Sequence, residues 1–465
     1  MSNDIDITIT PERAPIGAPS GEDRQTHLLV KLLPAATAQD RRLPIDICFV
    51  LDCSGTMRRF QLSPEEIARW ADTARGRGEL QMVTADRREG AIFTGLTLQE
   101  LQAAATRPLV IAARAIKRVV GALGERDSAS LVAFADRASA VYDGARGLDK
   151  GQMFEVINEL LTDSTAFHLG DGTMMARAIE LALKQVEQSS QPGTVSRVII
   201  ITDGIVHDPS DTLTQLQALR DKGVGITTVG IGQDFDEEFL TRVADRSGGQ
   251  YYYAADPAEL GDHLTAELTR LQATAAQDVA VGVTGERDAV VVDVHQVHPV
   301  IKGFEEIVTE QGWTRVRLGE LPGGEVTAVL VQLGLPELPD GPQHVATIEV
   351  SWRPAGSQQR KSQRAQVIVP YHKSLQLAER NPEVARLIDR VAVYRAERDA
   401  QWAQQDGDVE RATRRLREAT RLLKRMGEEQ LAADFERQAE DLEKRAPEDR
   451  TRTKRLKAAT RRLGA

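Results

Sequence analysis

Cysteine is nearly absent from this 465-residue chain: Cys48 and Cys53 stand alone, too few for a disulfide framework. If both lie at the end of one strand they face opposite sides of it, so two buried thiols are expected rather than a bond. No stretch approaches the 18 consecutive apolar residues of a membrane-spanning helix, so no membrane association is expected. The opening Met1-Ser2-Asn3-Asp4-Ile5-Asp6 lacks the basic start and apolar core of a signal peptide. Together these absences set the expectation of a reducing, cytoplasmic location. A net charge of −10 argues against general nucleic-acid affinity. There is no G-x-x-x-x-G-K-[ST] run, and Gly223 to Gly232 lacks the third glycine of a dinucleotide loop. His168 and His207 stand singly in loops and read as surface or hydrogen-bonding residues. His295 and His298 match no zinc spacing.

What the chain does have is the texture of a large soluble protein: 41% apolar and 28% charged residues, enough for two to four domains. Between 45 and 275, apolar strands alternate with helical stripes. Ile47-Cys48-Phe49-Val50-Leu51 and Val198-Ile199-Ile200-Ile201 are continuous apolar runs, as expected of strands buried on both faces. Ser130 to Ala135 reads as another strand, with Ala138 to Tyr142 as its antiparallel neighbour, and Gly225 to Gly232 and Gln250 to Tyr253 follow. Helical spacing marks Leu109–Leu123, Met175–Val186, Leu213–Lys222, Phe239–Ala244 and Leu260–Ala273. Such alternation predicts an open, mostly parallel α/β sheet covered by helices on both faces.

Chemistry collects at the ends of these strands. The first run ends in Asp52-Cys53-Ser54-Gly55-Thr56, Gly170-Asp171-Gly172-Thr173 opens a helix, and the second run ends in Thr202-Asp203-Gly204. If both strands share one parallel sheet, these loops meet in the crevice beyond its carboxyl edge, where such sheets bind ligands. The pattern resembles the metal-ion-dependent adhesion site of von Willebrand factor A domains, D-x-S-x-S followed by a Thr and then an Asp, with Thr56 replacing the commoner Ser. "TTVGIG" followed by "SGGQYYYAADPAEL" is similar to the last third of bacterial members. The resemblance implies a metal site of Asp52, Ser54, Thr56, Thr173 and Asp203. The hydroxyls would ligate directly and the carboxylates would act largely through water. Six oxygens suit Mg2+, with Mn2+ or Ca2+ as alternatives. It further implies a non-catalytic adaptor whose metal binds an Asp or Glu of a partner protein. Such a partner would be a MoxR-type AAA+ ATPase or a component of a bacterial conflict or signalling system.

Two other readings compete. Asp52-Cys53-Ser54-Gly55-Thr56 also resembles the D-x-D-G-T nucleophile loop of haloacid-dehalogenase-like phosphotransferases, with Asp52 forming an aspartyl-phosphate. That chemistry needs an acid at position 54, where Ser stands, and the Gly170-Asp171-Gly172 motif comes in the wrong order. The third reading is a structural oligomer or scaffold whose metal site is vestigial.

Outside the α/β region the chain changes character. Segments 1–44 and 278–371 carry short alternating strands and are expected to build one β-sandwich with the α/β domain of 45–275 inserted in it. Gly319-Glu320-Leu321-Pro322-Gly323-Gly324 reads as a hairpin turn. From 372 to 465 the chain is helical, with Asp408 as an N-cap and Gly427 as a stop. "GDVERATRRLREATRLLKRMGEEQLAADFERQAEDL" resembles one tetratricopeptide-like hairpin. A single hairpin cannot cover its own apolar face, so it must pack on the sandwich, a partner or a copy of itself, the last making a homo-oligomer. The basic stretch Arg450 to Arg462 reads as a solvated, partly frayed helix end, with a grip on an acidic partner or nucleic acid as the alternative. Residues 58–107 are an insertion beside Asp52, with helices opening at Ser63 and Thr97 and a hairpin of Leu80–Val83 with Ala91–Phe93. The expectation is a cap over the metal face or a thickened domain edge.

Overall fold

The structure, a computed structural model, describes residues 4–17, 25–36, 42–58, 80–85, 88–93, 107–144, 147–162, 169–189, 191, 193–232, 234–254, 259–304, 307–357, 359–372, 379–444 and 450–463. At its centre is a six-stranded sheet in the order β11 (Tyr251–Ala254), β10 (Gly225–Ile231), β9 (Val195–Thr202), β4 (Ile45–Asp52), β7 (Ser128–Phe134) and β8 (Ala138–Tyr142). All neighbours are parallel except β7 and β8. The pleat explains the uninterrupted apolar runs. Along β4, Ile45, Ile47, Phe49 and Leu51 enter one core while Cys48 and Val50 enter the other. Helices α2 (Pro108–Ala122), α3 (Lys150–Thr162) and α7 (Glu259–Gln272) line the first core. The other is covered by α4 (Ala176–Ser189), α5 (Pro209–Asp221) and α6 (Glu237–Ser247). The expected open α/β sheet is present, and α3, which the sequence reading passed over, completes its first face. Cys48 and Cys53 are both free and buried, and burial pushes the Cys48 thiol up to about 12.

Two further sheets share one core. One runs β1 (Ile5–Pro11), β3 (Gln25–Pro34), β17 (Thr327–Gly334), β13 (Val290–His298), β14 (Lys302–Gly303). The other runs β15 (Val308–Glu310), β16 (Trp313–Pro322), β12 (Thr274–Gly285), β18 (Gly341–Pro354), β19 (Lys361–His372), β2 (Ile16–Gly17). Leu28, Val30 and Val331 of the first meet Val281, Val316 and Ile348 of the second, so the N-terminal strands and the strands after 273 belong to one sandwich.

The run 319–324 is not a hairpin turn. β16 and β17 lie in different sheets, so the chain crosses the sandwich there. Its amides bond elsewhere, Gly323 N to Ala273 O (2.7 Å) and Gly324 N to Pro34 O (2.9 Å). Glycines permit a tight turn without specifying which strands it joins.

A buried ionic node ties the sandwich to the α/β domain. Arg197 on β9 is fully buried, with Glu320 of β16 hydrogen-bonded to it and Glu267 of α7 3.5 Å away. Although burial opposes ionisation of Glu267, Arg270 and Arg197 hold its carboxyl down at about 2.

The C-terminal helices α8 (Pro382–Gln405), α9 (Val409–Met426), α10 (Glu429–Glu443) and α11 (Arg450–Arg462) form a bundle. Val384, Leu416, Leu423 and Phe435 pack with Leu29, Ala328 and Leu330, placing the bundle on the outer face of the first sandwich sheet. Asp408 caps α9 through Arg411 N (3.0 Å) and Gly427 ends it in the left-handed conformation.

The basic stretch 450–462 is not a frayed end. Lys454 and Arg461 are 6% and 8% exposed. Lys454 Nζ donates to Phe235 O at 2.9 Å and stands 3.3 Å above the Phe235 ring. Long basic side chains bury their stems readily when the charged head finds a partner, and here the α/β domain provides it.

Of the insertion, β5 (Leu80–Ala85) and β6 (Arg88–Phe93) form an antiparallel pair longer than the expected one, from Leu80↔Phe93 to Ala85↔Arg88. The helices expected to open at Ser63 and Thr97 lie outside the described residues.

Candidate metal centre

β4 and β9 are adjacent and parallel, so both end at the same edge of the sheet. At the tip of β4 the chain turns on the Asp52 side chain, whose Oδ1 accepts from Ser54 N at 2.7 Å. Cys53 N donates to Phe134 O (2.7 Å), pinning the loop to β7. A single helical turn, α1 (Gly55–Arg58), follows. Its first amide, Gly55 N, donates to Asp171 O at 2.9 Å and so joins the first loop to the second.

The oxygens of all three loops converge. Ser54 Oγ lies 3.0 Å from Thr56 Oγ1, which donates to Asp203 Oδ1 at 2.7 Å. A Cβ at Gly204 would sit 3.0 Å from Thr173 Oγ1 and 3.7 Å from Asp52 Oδ2, so these atoms flank one point and a side chain there would crowd Thr173. Asp52, Ser54, Thr173 and Asp203 are 0%, 1%, 4% and 3% exposed, whereas Thr56 opens to solvent.

Burial pushes the Asp52 carboxyl up to about 6, against hydrogen bonds from Thr202 and Ser54 that favour its charge. Burial, reinforced by the neighbouring Asp52 and Asp234 charges, raises Asp203 to about 7 even though the Thr56 hydroxyl opposes it. Every hydrogen bond to Asp52 described here comes from a neutral donor. A divalent cation between such carboxylates would reverse both shifts. The donor set is oxygen alone, and no cluster of three or more His, Cys, Asp or Glu suited to a metal occurs among the described residues. Hydroxyls and two carboxylates fit a hard cation and do not fit a thiolate- or imidazole-preferring metal.

Several residues that hold this arrangement escaped the sequence reading. Thr202 Oγ1 donates to Asp52 Oδ2 at 2.5 Å and accepts from Gly204 N at 3.1 Å, so one buried hydroxyl orients the first loop and the third together. Its only signal was its place before Asp203, where it passed for the end of a strand. Asp208 accepts from Met175 N (2.7 Å) and Ala176 N (2.9 Å) and fixes the start of α4 just after Thr173. Asp136 accepts from Asp171 N at 2.9 Å, and a Cβ at Gly172 would come within 2.1 Å of its Oδ1. His207 Nδ1 lies 3.4 Å from Thr173 N, which places the ring beside the second loop. His168 lies outside the described residues. Arg58 reaches across to Gly170 O (2.8 Å) and to the Asp171 carboxylate.

An open parallel sheet with oxygen-lined loops at its carboxyl edge defines the class, and comparison with known proteins agrees. The von Willebrand factor type A domain family matches residues 105–266, and a family described as Sll0103-like, C-terminal alpha-helical domain, matches 382–465. Residues 105–266 thus belong to a von Willebrand factor type A domain, and a C-terminal helical domain follows at 382–465. The first match begins after the Asp52 loop. An Escherichia coli K12 protein, Uncharacterized protein YfbK, is 25% identical over 169 residues, 35% of this chain and 28% of its own length. The match therefore spans little more than a quarter of that protein. Uncharacterized protein sll0103 of Synechocystis is 22% identical over 358 residues, 76% of this chain and 71% of that one. Among solved structures, a von Willebrand factor type A protein from Catenulispora acidiphila superposes with a TM-score of 0.72 at 18% identity, covering 99% of this chain and 96% of that one. The ArnB paralog VWA2 from Sulfolobus acidocaldarius gives 0.55 at 14%, over the whole of both chains. At these identities the likeness is one of fold.

Proposed function

We propose that this chain is a non-catalytic adaptor that binds a partner protein through a divalent metal, with Mg2+ the best fit to its donors and Mn2+ or Ca2+ the alternatives. The observation that carries the reading is the convergence of three hydroxyls and two buried carboxylates at the carboxyl edge of the sheet. Ser54, Thr56 and Thr173 would hold the cation directly, and Asp52 and Asp203 would orient them and any bound water. A divalent cation held there would supply a Lewis-acidic position for a carboxylate oxygen of the partner. The half-open face at Thr56 is the side of approach. Ile205 and Met174, 56% and 36% exposed, stand beside Asp203 and Thr173 and offer apolar contact around that point. A cytoplasmic AAA+ ATPase of the MoxR type, or a scaffold of a conflict or signalling system, is the proposed partner class.

The aspartyl-phosphate alternative is disfavoured by the state of Asp52. Its side chain has no exposure, and both oxygens already accept hydrogen bonds, so neither is presented to a substrate. Titration calorimetry with Mg2+ and Mn2+ tests the site, comparing the wild type with Asp52→Ala. One metal equivalent lost in the variant supports the reading; equal or absent binding in both proteins refutes it. Capture from lysate with Mg2+ or with chelator then reads partner dependence on the same residue.

A further inference from the structure

Sharing no residue with the metal loops, α9 and α10 enclose an open groove of about 790 Å3. Along its floor Arg414, Arg417, Arg421 and Lys424 recur at three- and four-residue spacing on one face of α9. The stripe is about 15 Å long at 1.5 Å per residue. Arg417 is engaged across the groove, Nη2 to Glu443 Oε2 at 2.8 Å and Nε to Glu436 Oε1 at 3.8 Å, and so braces the two walls. Arg414, Arg421 and Lys424 have no acidic partner among the described residues.

A second, independent feature lies in the same groove. Thr413 is 4% exposed, and its Oγ1 has no hydrogen-bond partner among the described residues. Two turns on, Thr420 satisfies its own hydroxyl on Leu416 O at 3.0 Å. A buried, unsatisfied hydroxyl costs free energy, and a ligand polar atom in the groove would recover it. Val409, 38% exposed, adds an apolar contact at the N-terminal end of the stripe.

We infer that this groove is a second protein-docking surface, built for an acidic helical segment of a partner. The segment's carboxylates, spaced by three or four residues, meet Arg414, Arg421 and Lys424, and a polar side chain reaches Thr413. A cationic stripe on a chain of net charge −10 is a local feature and not a general affinity for polyanions. Glu436 and Glu443 on the opposite wall are both engaged by Arg417, which leaves Arg414, Arg421 and Lys424 to meet the carboxylates of the segment; a phosphate backbone is the alternative that the oligo(dT) control reads. The surface does not depend on the metal reading, since its residues belong to the C-terminal helices and share none with the metal loops.

The test uses the full chain and a fluorescein-labelled 18-residue helical peptide with Glu at three- and four-residue spacing. Its Lys-for-Glu counterpart and a 20-nucleotide oligo(dT) are the controls, with anisotropy read at low and high salt. The wild type should bind the Glu peptide at least tenfold more tightly than either control, and more weakly at high salt. Arg414→Glu/Arg421→Glu should weaken binding tenfold or more, Arg414→Gln/Arg421→Gln by less, and Thr413→Val severalfold, all with unchanged thermal unfolding. Equal affinity for the Glu and Lys peptides overturns the inference. So does tighter binding of oligo(dT), or self-association by light scattering that the Arg414→Glu/Arg421→Glu variant abolishes.

Discussion

Arg461 in the last helix grips Asp245 at the end of α6 with two parallel hydrogen bonds, Nη1 to Oδ2 and Nη2 to Oδ1, each 2.9 Å. The residues lie 216 positions apart, and this pair, together with Lys454 on Phe235, joins the C-terminal bundle to the α/β domain. The backbone joins in, because Ile301 N of the sandwich donates to Arg461 O at 2.7 Å. Burial would raise the Asp245 carboxyl, but the Arg461 charge and hydrogen bonds hold it below its usual range.

Removing one partner of such a pair strands the other charge in a desolvated setting. Arg461→Ala is therefore expected to destabilise the chain by about 3 kcal/mol. In a double-mutant cycle with Asp245→Ala, urea unfolding should give a coupling of about 1–3 kcal/mol. Additive losses would mean that the pair contributes nothing beyond packing.

Thr202→Val tests the hidden positioning hydroxyl. The substitution keeps the shape of a buried β-branched residue but removes the donor to Asp52 Oδ2 and the acceptor of Gly204 N. Support of this kind for a metal site is typically worth about 10- to 100-fold in affinity. Calorimetry should show Mg2+ binding weakened in that range. Unchanged affinity would remove Thr202 from the site.

Much of this architecture was legible because β4 and β9 are buried on both faces. Such strands favour apolar side chains on both faces, and the unbroken runs that end in Asp52 and in Thr202-Asp203 give both the strand and its functional tip. Parallel pairing then carries the loops to one edge, so the convergence of Ser54, Thr56 and Thr173 with the two carboxylates could be expected from order alone. The helix at 150–162 was harder to read, since its fully buried stripe is only Met153, Ile157 and Leu160, while Phe154, Val156 and Leu161 lie beside that stripe and blur its period.

The remaining misreadings share a different cause. Gly323 and Gly324 carry no information about which sheet receives the next strand. Likewise Lys454 and Arg461 read as solvated charges because Phe235 O and Asp245 are more than 200 residues away. Local pattern reports the period of an element, while the partners of buried charges are set by tertiary packing.

Ile205 and Met174 separate metal binding from partner binding. Neither is among the oxygen donors, but both stand exposed beside them. Ile205→Asp and Met174→Asp should leave Mg2+ affinity within a few-fold of wild type. Metal-dependent capture of a partner should fall tenfold or more, as when an apolar contact at an interface centre is lost. If capture is unaffected, the apolar rim takes no part in docking.

Glu397 gives the junction between the bundle and the α/β domain a pH dependence. This residue of α8 is 5% exposed, and burial pushes its carboxyl up to about 7. Lys457 and Arg461 of α11 and Arg398 beside it pull the other way, while Glu237 of α6 adds to the rise. A carboxyl raised in the folded state binds its proton more tightly there than in the unfolded chain. The stability it contributes is therefore fully present below its unfolded value of about 4.5 and is lost as pH rises through about 7. Glu397→Gln mimics the protonated form. It should raise Tm relative to wild type at pH 8 and leave the difference near zero at pH 5, with its amide taking over the contact to Gln401. A Tm difference that does not change between these pH values would mean that Glu397 stays ionised in the folded protein and that Lys457 and Arg461 outweigh its burial.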